Sequence, residues 1–347
     1  MTGPTRPGPV NPTQLRIGLW GPPGSGKTTF LAALKIATMR HGVDTPSWIM
    51  HGSDDAATRF LQDTTYALTT AKTFPVATTN ADSMVFRFTG ERRSASRKWY
   101  GKKVPESHTI AFDLDVLDVP GGTYGRSGTA PATTDDEDDG FTLGNEPTGF
   151  EPRGNDPDEM EDRLLDHLQD CHGIVYLFDP ERDAHEGDAF RYFHPVLEKL
   201  TRRVMEQDHG KPKLPHHVAV CVTKFDKPDI YKKARVRGYT VFDNERPYLP
   251  RVDNERAGDF FRMLCEDPQT NTDMVERGLR QYFSTLNYFV TSSIGFYVAD
   301  NRFRSHDCLN VERVGPEHTD FKIKGRVYPI NVLEPLLWLY NSLTKAE

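Results

Sequence analysis

Cysteine is scarce in this sequence. Its four residues, Cys171, Cys221, Cys265 and Cys308, form no CxxC pair or other zinc spacing, which excludes a zinc ribbon and a disulfide scaffold. Reduced thiols packed as small hydrophobes are the expectation. Long apolar runs are missing too, since none approaches the roughly 20 residues of a membrane-spanning helix. The opening MTGPTRPGPVNPTQ has neither an apolar h-region nor a myristoylation pattern, so a cytoplasmic location is expected. Nor is there a surplus of positive charge. With 43 Lys and Arg against 50 Asp and Glu the net charge is -7, and nothing general draws the chain to nucleic acid or an anionic membrane.

What is present is an ordinary globular composition, 37% hydrophobic and 27% charged, in 347 residues, a length that allows one elaborated domain or two modest ones. Residues 1–14, with four prolines and two glycines, read as a disordered tail. From Leu15 the pattern is a buried strand (LRIGLW), a glycine-rich turn and a helix (TTFLAALKIATMR) with Phe30, Leu34 and Ala37 along one side. DDAATRFLQDTTYALTTA reads as a helix. SMVFRF and HTIAFDLDVLDV read as strands joined by a basic excursion. Residues 123–157, rich in Gly, Pro, Thr and Asp and holding DDEDD at 135–139, read as a loop.

Beyond that loop a helix (DEMEDRLLDHLQDC), a buried strand (GIVYLFD), a helix around FHPVLEKLTRRVMEQ and a strand (HVAVCVTKFD) alternate. KPDIYKKARVRGYTVFDNERPYLPRVDN reads as irregular, helical stretches follow to about Tyr288, FVTSS as a strand, 297–328 as a further insertion and NVLEPLLWLYNSL as a closing amphipathic helix. The expected architecture is α/β: a P-loop nucleotide-binding domain over 15–347, with a central, mostly parallel sheet and helices on both faces. Its insertions fall at about 41–73, 123–157, 227–255 and 297–328.

Gly21-Pro22-Pro23-Gly24-Ser25-Gly26-Lys27-Thr28 satisfies GxxxxGK[ST] after an apolar strand and before a helix, where the motif has a mechanism. Its glycines let backbone N–H groups surround a β-phosphate, Lys27 supplies a cation to the β- and γ-phosphates, and Thr28 can ligate Mg²⁺, with Thr29 beside it. Asp118-Val119-Pro120-Gly121 fits DxxG at a strand's carboxyl end, with Asp118 as a Mg²⁺ carboxylate and Gly121 sensing the γ-phosphate. Asp113 and Asp115 are alternatives for the metal carboxylate. Thr223-Lys224-Phe225-Asp226 follows another strand; its carboxylate can accept from guanine N1 and N2, a donor pair adenine lacks, while the Lys224 stem covers base and sugar. Thr291-Ser292-Ser293 ends the last strand, where a backbone N–H can meet guanine O6. In the loop FPVATTNAD, either Thr78 or Thr79 can close over Mg²⁺.

These five elements, in this order, resemble the Ras-like GTPases of the translation-factor-related class. The long insertions, the DVPGG turn and the closing NVLEPLLWLY are also similar to prokaryotic GTPases of the double-GTPase kind found in bacterial conflict-type gene clusters. The resemblance implies a GTP-binding switch whose loops near Thr78 to Thr79 and Gly121 to Gly128 respond to the γ-phosphate and signal to a protein effector or activating partner. Two positions depart from the family pattern. Thr223 stands where Asn is usual, and Gly122 stands where a Gln commonly orients the attacking water, so slow hydrolysis is expected. Arg126, in the adjacent loop, is a candidate cis arginine.

Two other readings remain open at this point. An ATPase or nucleotide kinase shares the phosphate loop, and a non-hydrolysing GTP-bound scaffold could use the insertions as a constitutive interface. Arg92, Arg93, Arg97, Lys98, Lys102 and Lys103 around Trp99 and Tyr100 read as a solvated hairpin tip, with single-stranded nucleic acid or an acidic partner as the functional alternative. His216-His217 reads as an ordinary pair before a strand.

Overall fold

The computed structural model describes residues 15–22, 24–40, 48–75, 82–97, 103–118, 157–207, 213–268, 270–315 and 320–344. The first apolar run forms β1 (Arg16–Trp20), and the glycine-rich turn leads into α1 (Lys27–Arg40). β2 (Trp48–Gly52) and α2 (Asp55–Tyr66), capped by the Asp54 side chain on the Ala57 N–H, come next, and a π-turn at Ala67–Ala71 follows. Two long strands, β3 (Asp82–Arg97) and β4 (Lys103–Asp118), form an antiparallel ribbon. Then come α3 (Pro157–Gln169), β5 (Gly173–Phe178), α4 (Pro180–Glu186), α5 (Ala189–Gln207), β6 (Leu214–Val222) and α6 (Pro228–Val236). A short hairpin of β7 (Thr240–Phe242) and β8 (Pro250–Val252) precedes α7 (Asn254–Cys265), α8 (Thr272–Tyr282) and β9 (Phe283–Val290). Two small hairpins, β10 (Val298–Ala299) with β11 (Arg302–Phe303) and β12 (Val311–Val314) with β13 (Asp320–Ile323), precede the closing α9 (Glu334–Thr344).

The main sheet has seven strands in the order β2-β3-β4-β1-β5-β6-β9. β4, β1, β5, β6 and β9 run parallel, and β2 and β3 complete one side through antiparallel pairs. Every residue of β5 is buried, as befits a parallel strand covered on both faces. Its side chains alternate between two cores: Ile174, Tyr176 and Phe178 join α3, α5, α7 and α8, whereas Val175 and Leu177 join α1 and α9. β6 divides likewise, with Val218, Val220 and Val222 on the first side and Ala219 and Cys221 on the second. The fold is therefore the expected α/β one, a mostly parallel sheet between helical layers.

Several elements differ from the sequence expectation. α1 is buried on more than one side: Phe30, Leu31 and Leu34 meet the sheet, while Ala32 and Ile36 meet Leu68, Ile294, Ile323 and Val327. The stretch 227–255, read as irregular, holds α6, the β7–β8 hairpin and the start of α7. Pro228 there begins a helix, having no N–H to leave unpaired, with Asp229 in its first turn and Lys233 and Arg235 in its last. β9 starts at Phe283, inside the stretch read as helical, and as an edge strand it is half-exposed over Ser284 to Tyr288, which hides the apolar signal. The basic excursion is mostly strand, because Arg92, Arg93 and Arg97 lie in β3 and Lys103 in β4. Lys98, Trp99, Tyr100 and Lys102 lie outside the described residues, as do the tail 1–14 and the acidic run 135–139.

Candidate functional site

The parallel strands bring their carboxyl ends to one edge of the sheet. β1 delivers Gly21, β5 delivers Asp179, β6 delivers Thr223 to Asp226, and β9 delivers Thr291 to Ser293. The chain passes from β1 to β4 on one side and crosses to β5 on the other, so this edge is a topological switch point, where open α/β sheets bind their ligands.

The turn between β1 and α1 has the geometry of a phosphate loop. Gly24 (φ 70°) and Gly26 (φ 92°) adopt the left-handed conformation that a side chain disfavours. Gly21 is required for a different reason: a Cβ there would stand 2.8 Å from the Leu177 carbonyl and 2.8 Å from Ser25 Oγ. Lys27 is buried, and its Nζ donates to the carbonyls of Gly21 (3.1 Å) and Pro22 (3.3 Å). Ser25 N donates to the Pro22 carbonyl, and the buried Ser25 Oγ has no hydrogen-bond partner among the described residues. No acidic residue lies in the first turn of α1, so the positive end of its dipole faces the loop uncompensated. Thr28 and Thr29 are half-buried in that turn.

Across the edge, the segment after β6 is clasped by its neighbours. Thr223 donates from both N (2.8 Å) and Oγ1 (3.0 Å) to the Phe178 carbonyl, tying β6 to β5. Phe225 is buried against Tyr231 and Phe296, which turns Lys224 and Asp226 the other way, and Lys224 adopts φ 57°. Asp226 is buried and accepts from Ser292 Oγ, which itself accepts from Gly295 N (2.8 Å). Burial raises the Asp226 pKa above the ordinary carboxylate value; the Ser292 hydroxyl, its own backbone N–H and Lys227 pull it down, and Glu181 raises it.

Ser292 and Ser293 therefore divide in position. Ser293 lines the cavity, whereas Ser292 is buried, exchanges backbone hydrogen bonds with Ile330 and orients the Asp226 carboxylate from behind.

One cavity of about 280 Å³ joins the two halves: Gly24, Ser25, Gly26 and Thr29 line it together with Thr223, Lys224, Asp226 and Ser293. Sequence reasoning missed further residues at this edge. Asp179 caps α4 through the N–H groups of Glu181 and Arg182, and its other oxygen pairs with Lys224 Nζ at 2.5 Å. Lys227 pairs with Glu181 at 3.0 Å. Arg182 holds Asp188 through Nε and Nη2, while its Nη1 lies 3.5 Å from where a Cβ on Gly24 would stand. The signal was there, since Asp-Pro-Glu after a buried run is a helix-start pattern. A larger cleft of about 770 Å³ between α4, α6 and α7 shares Lys227 with that cavity but has no phosphate-loop residue in its lining.

Asp118 ends β4, opposite Asp82 of β3. Asp113, the first alternative carboxylate, is engaged in a bidentate pair with Arg87, and Asp115, the second, lies 3.6 Å from His167. Pro23, Thr78, Thr79, Gly121, Gly122 and Arg126 lie outside the described residues. No group of three His, Cys, Asp or Glu able to hold a metal occurs among the described residues. Thr28, in the first turn of α1, offers a hydroxyl oxygen at this edge. A hard oxygen donor suits Mg²⁺, which keeps waters and substrate phosphates in its shell and takes few protein ligands.

No protein-family model matches the chain, and no curated protein matches it. Among solved structures it is similar to the Arl6 BBS3 small GTPase from Trypanosoma brucei, determined with the bound nucleotide analogue GppNp. The likeness covers 96% of this chain and 100% of that one, at 9% sequence identity and a TM-score of 0.34.

Proposed function

We propose that the chain is a GTP-binding switch with slow, Mg²⁺-dependent GTP hydrolysis, built as one domain with insertions and signalling to a protein partner. One observation carries the reading: the buried Asp226 carboxylate, held by Ser292, lines the same cavity as Gly24, Ser25 and Gly26. A carboxylate at that place can accept from two N–H groups on one edge of guanine, while the loop's N–H groups meet phosphate oxygens. Lys27 supplies the cation for the β- and γ-phosphates. Thr28 and Asp118 would hold Mg²⁺, with Thr78 or Thr79 closing over it. When bound, the ion neutralises charge on the phosphate oxygens.

The residues Gly121 and Gly122 bear on rate. Positioning a water takes a side chain, and Gly122 has none, so turnover of pre-bound GTP is expected on the order of 10⁻³ s⁻¹ or slower, with Arg126 or a partner arginine as the missing cation. The ATPase and scaffold readings lack a comparable observation in their favour.

The test is a base exchange. Asp226→Asn should lose at least about tenfold in GTP affinity and gain xanthosine triphosphate, because an amide donates where the carboxylate only accepts. Full GTP preference retained in Asp226→Asn would remove the guanine assignment.

A further inference from the structure

Four apolar side chains line the cavity: Phe74, which opens the FPVATTNAD loop, Ile294, which follows the Thr291-Ser292-Ser293 element, and Val311 and Phe321 of the 297–328 insertion. Phe321 is 48% exposed and Phe74 36%; Tyr66, Phe242 and Tyr248 are exposed as well, but of these five aromatics Phe74 and Phe321 are the two that line the cavity. An aromatic ring left in water at the mouth of a cavity is a binding surface when another flat ring can cover it.

The placement of the two rings is built in. β12 and β13 form an antiparallel hairpin within the 297–328 insertion, with Arg313 opposite Phe321. The segment after the π-turn adds to its edge: Ile323 N donates to the Lys72 carbonyl (2.8 Å), Thr73 pairs with Lys322, and Lys72 Nζ donates to the Gly325 carbonyl (2.5 Å). Continuing that antiparallel register by one residue sets Phe74 opposite Phe321, as a cross-strand pair. Ile323, two residues from Phe321 and so on the same face of the strand, is buried against Ala32 and Ile36 of α1. That anchor fixes the hairpin on α1, and Phe321 with it at the cavity that Gly24 to Gly26 line.

We infer that the β12–β13 hairpin is part of the nucleotide site: Phe321, seated beside Phe74, forms an aromatic wall against the purine base whose edge Asp226 reads. The chemistry divides cleanly. Asp226 and Ser293 supply polar groups, the Lys224 ammonium is paired with Asp179, and the hairpin supplies an apolar plane that is indifferent to the number of phosphates. The insertion thereby becomes a specificity element for purine nucleotides against free polyphosphate. This inference rests on the nucleotide reading of the site, and the experiment separates the two.

The full chain, with Phe321→Ala and Phe321→Trp variants, is titrated with GTP, GDP, ATP and inorganic tripolyphosphate. Phe321→Ala should weaken GTP and GDP by the same factor, about 5- to 150-fold, the span of one base–aromatic stack, and leave tripolyphosphate binding unchanged. Phe321→Trp should restore affinity and show indole fluorescence quenched by the nucleotides and not by tripolyphosphate. Wild-type affinity in Phe321→Ala together with an unresponsive indole signal in Phe321→Trp would overturn the inference. If the unmodified chain prefers ATP and Phe321→Ala weakens ATP, the wall stands and the guanine reading falls. If no nucleotide binds to the unmodified chain, both fall.

Discussion

Lys27 shows how a single residue carries conflicting duties. Its ammonium is buried at the start of α1 and donates to the carbonyls of Gly21 and Pro22. Those carbonyls are backbone groups of the loop itself, so removing the lysine disturbs the phosphate site and leaves the sheet alone. Lys27→Ala should lose about 10²-fold or more in GTP affinity, from the loss of hydrogen bonds to charged phosphate oxygens, with an unchanged circular dichroism spectrum. Unaltered GTP affinity would remove the phosphate-loop assignment. At this scale the sequence was readable wherever chemistry dictates spacing: the crowded Gly21 and the left-handed Gly26 are the fixed glycines of GxxxxGK[ST], whereas the left-handed Gly24 fills one of its variable positions. The bond of Ser292 to Asp226 and the place of Phe321 were not readable. Ser292 acts through Asp226, 66 positions earlier in the chain, and Phe321 acts through a hairpin whose position depends on packing against α1.

At the scale of elements, the buried strands and their helices followed from apolar runs, while edge strands did not. β2 is five residues long and β9 is half polar, so neither has the pattern that marks a strand covered on both faces. The packing of β6 on α3 gives a measurable consequence. His216 is buried there at 1% exposure, packs edge-on against Phe283, and has its pKa pushed down to about 4 by burial, against which contacts with the Leu168 and Gln169 backbone act. The neighbouring His172 and His217 lower it further. Because the folded value lies below the unfolded one, the unfolded chain binds the extra proton. Stability should therefore fall as the pH drops from about 6.5 towards 4, by on the order of 3 kcal/mol in total. Urea unfolding across that range should show a shallower decline in His216→Leu than in the parent chain. Equal declines would mean that the acid sensitivity arises elsewhere. The pair that reads as ordinary in sequence is thus split, since His217 Nδ1 meets Ser342 Oγ of α9 instead (2.9 Å).

For the molecule as a whole, function follows from where the parallel sheet ends. Five parallel strands terminate at one edge, and the side chains found there come from positions between Gly21 and Ser293 that only the strand order brings together. The 297–328 insertion returns to the same edge and adds Val311 and Phe321, so the insertion contributes to the site as well as to the outline of the fold. No helix among the described residues is long and apolar enough to cross a membrane. On the proposed function, this edge selects guanine. The most direct test is calorimetric titration of the purified chain with GTP and with ATP, each with Mg²⁺ and with EDTA. GTP should bind at least about 10²-fold more tightly than ATP, the discrimination of a site whose buried polar group is left unpaired by the wrong base, and EDTA should weaken GTP binding. Equal affinity for ATP and GTP would contradict it.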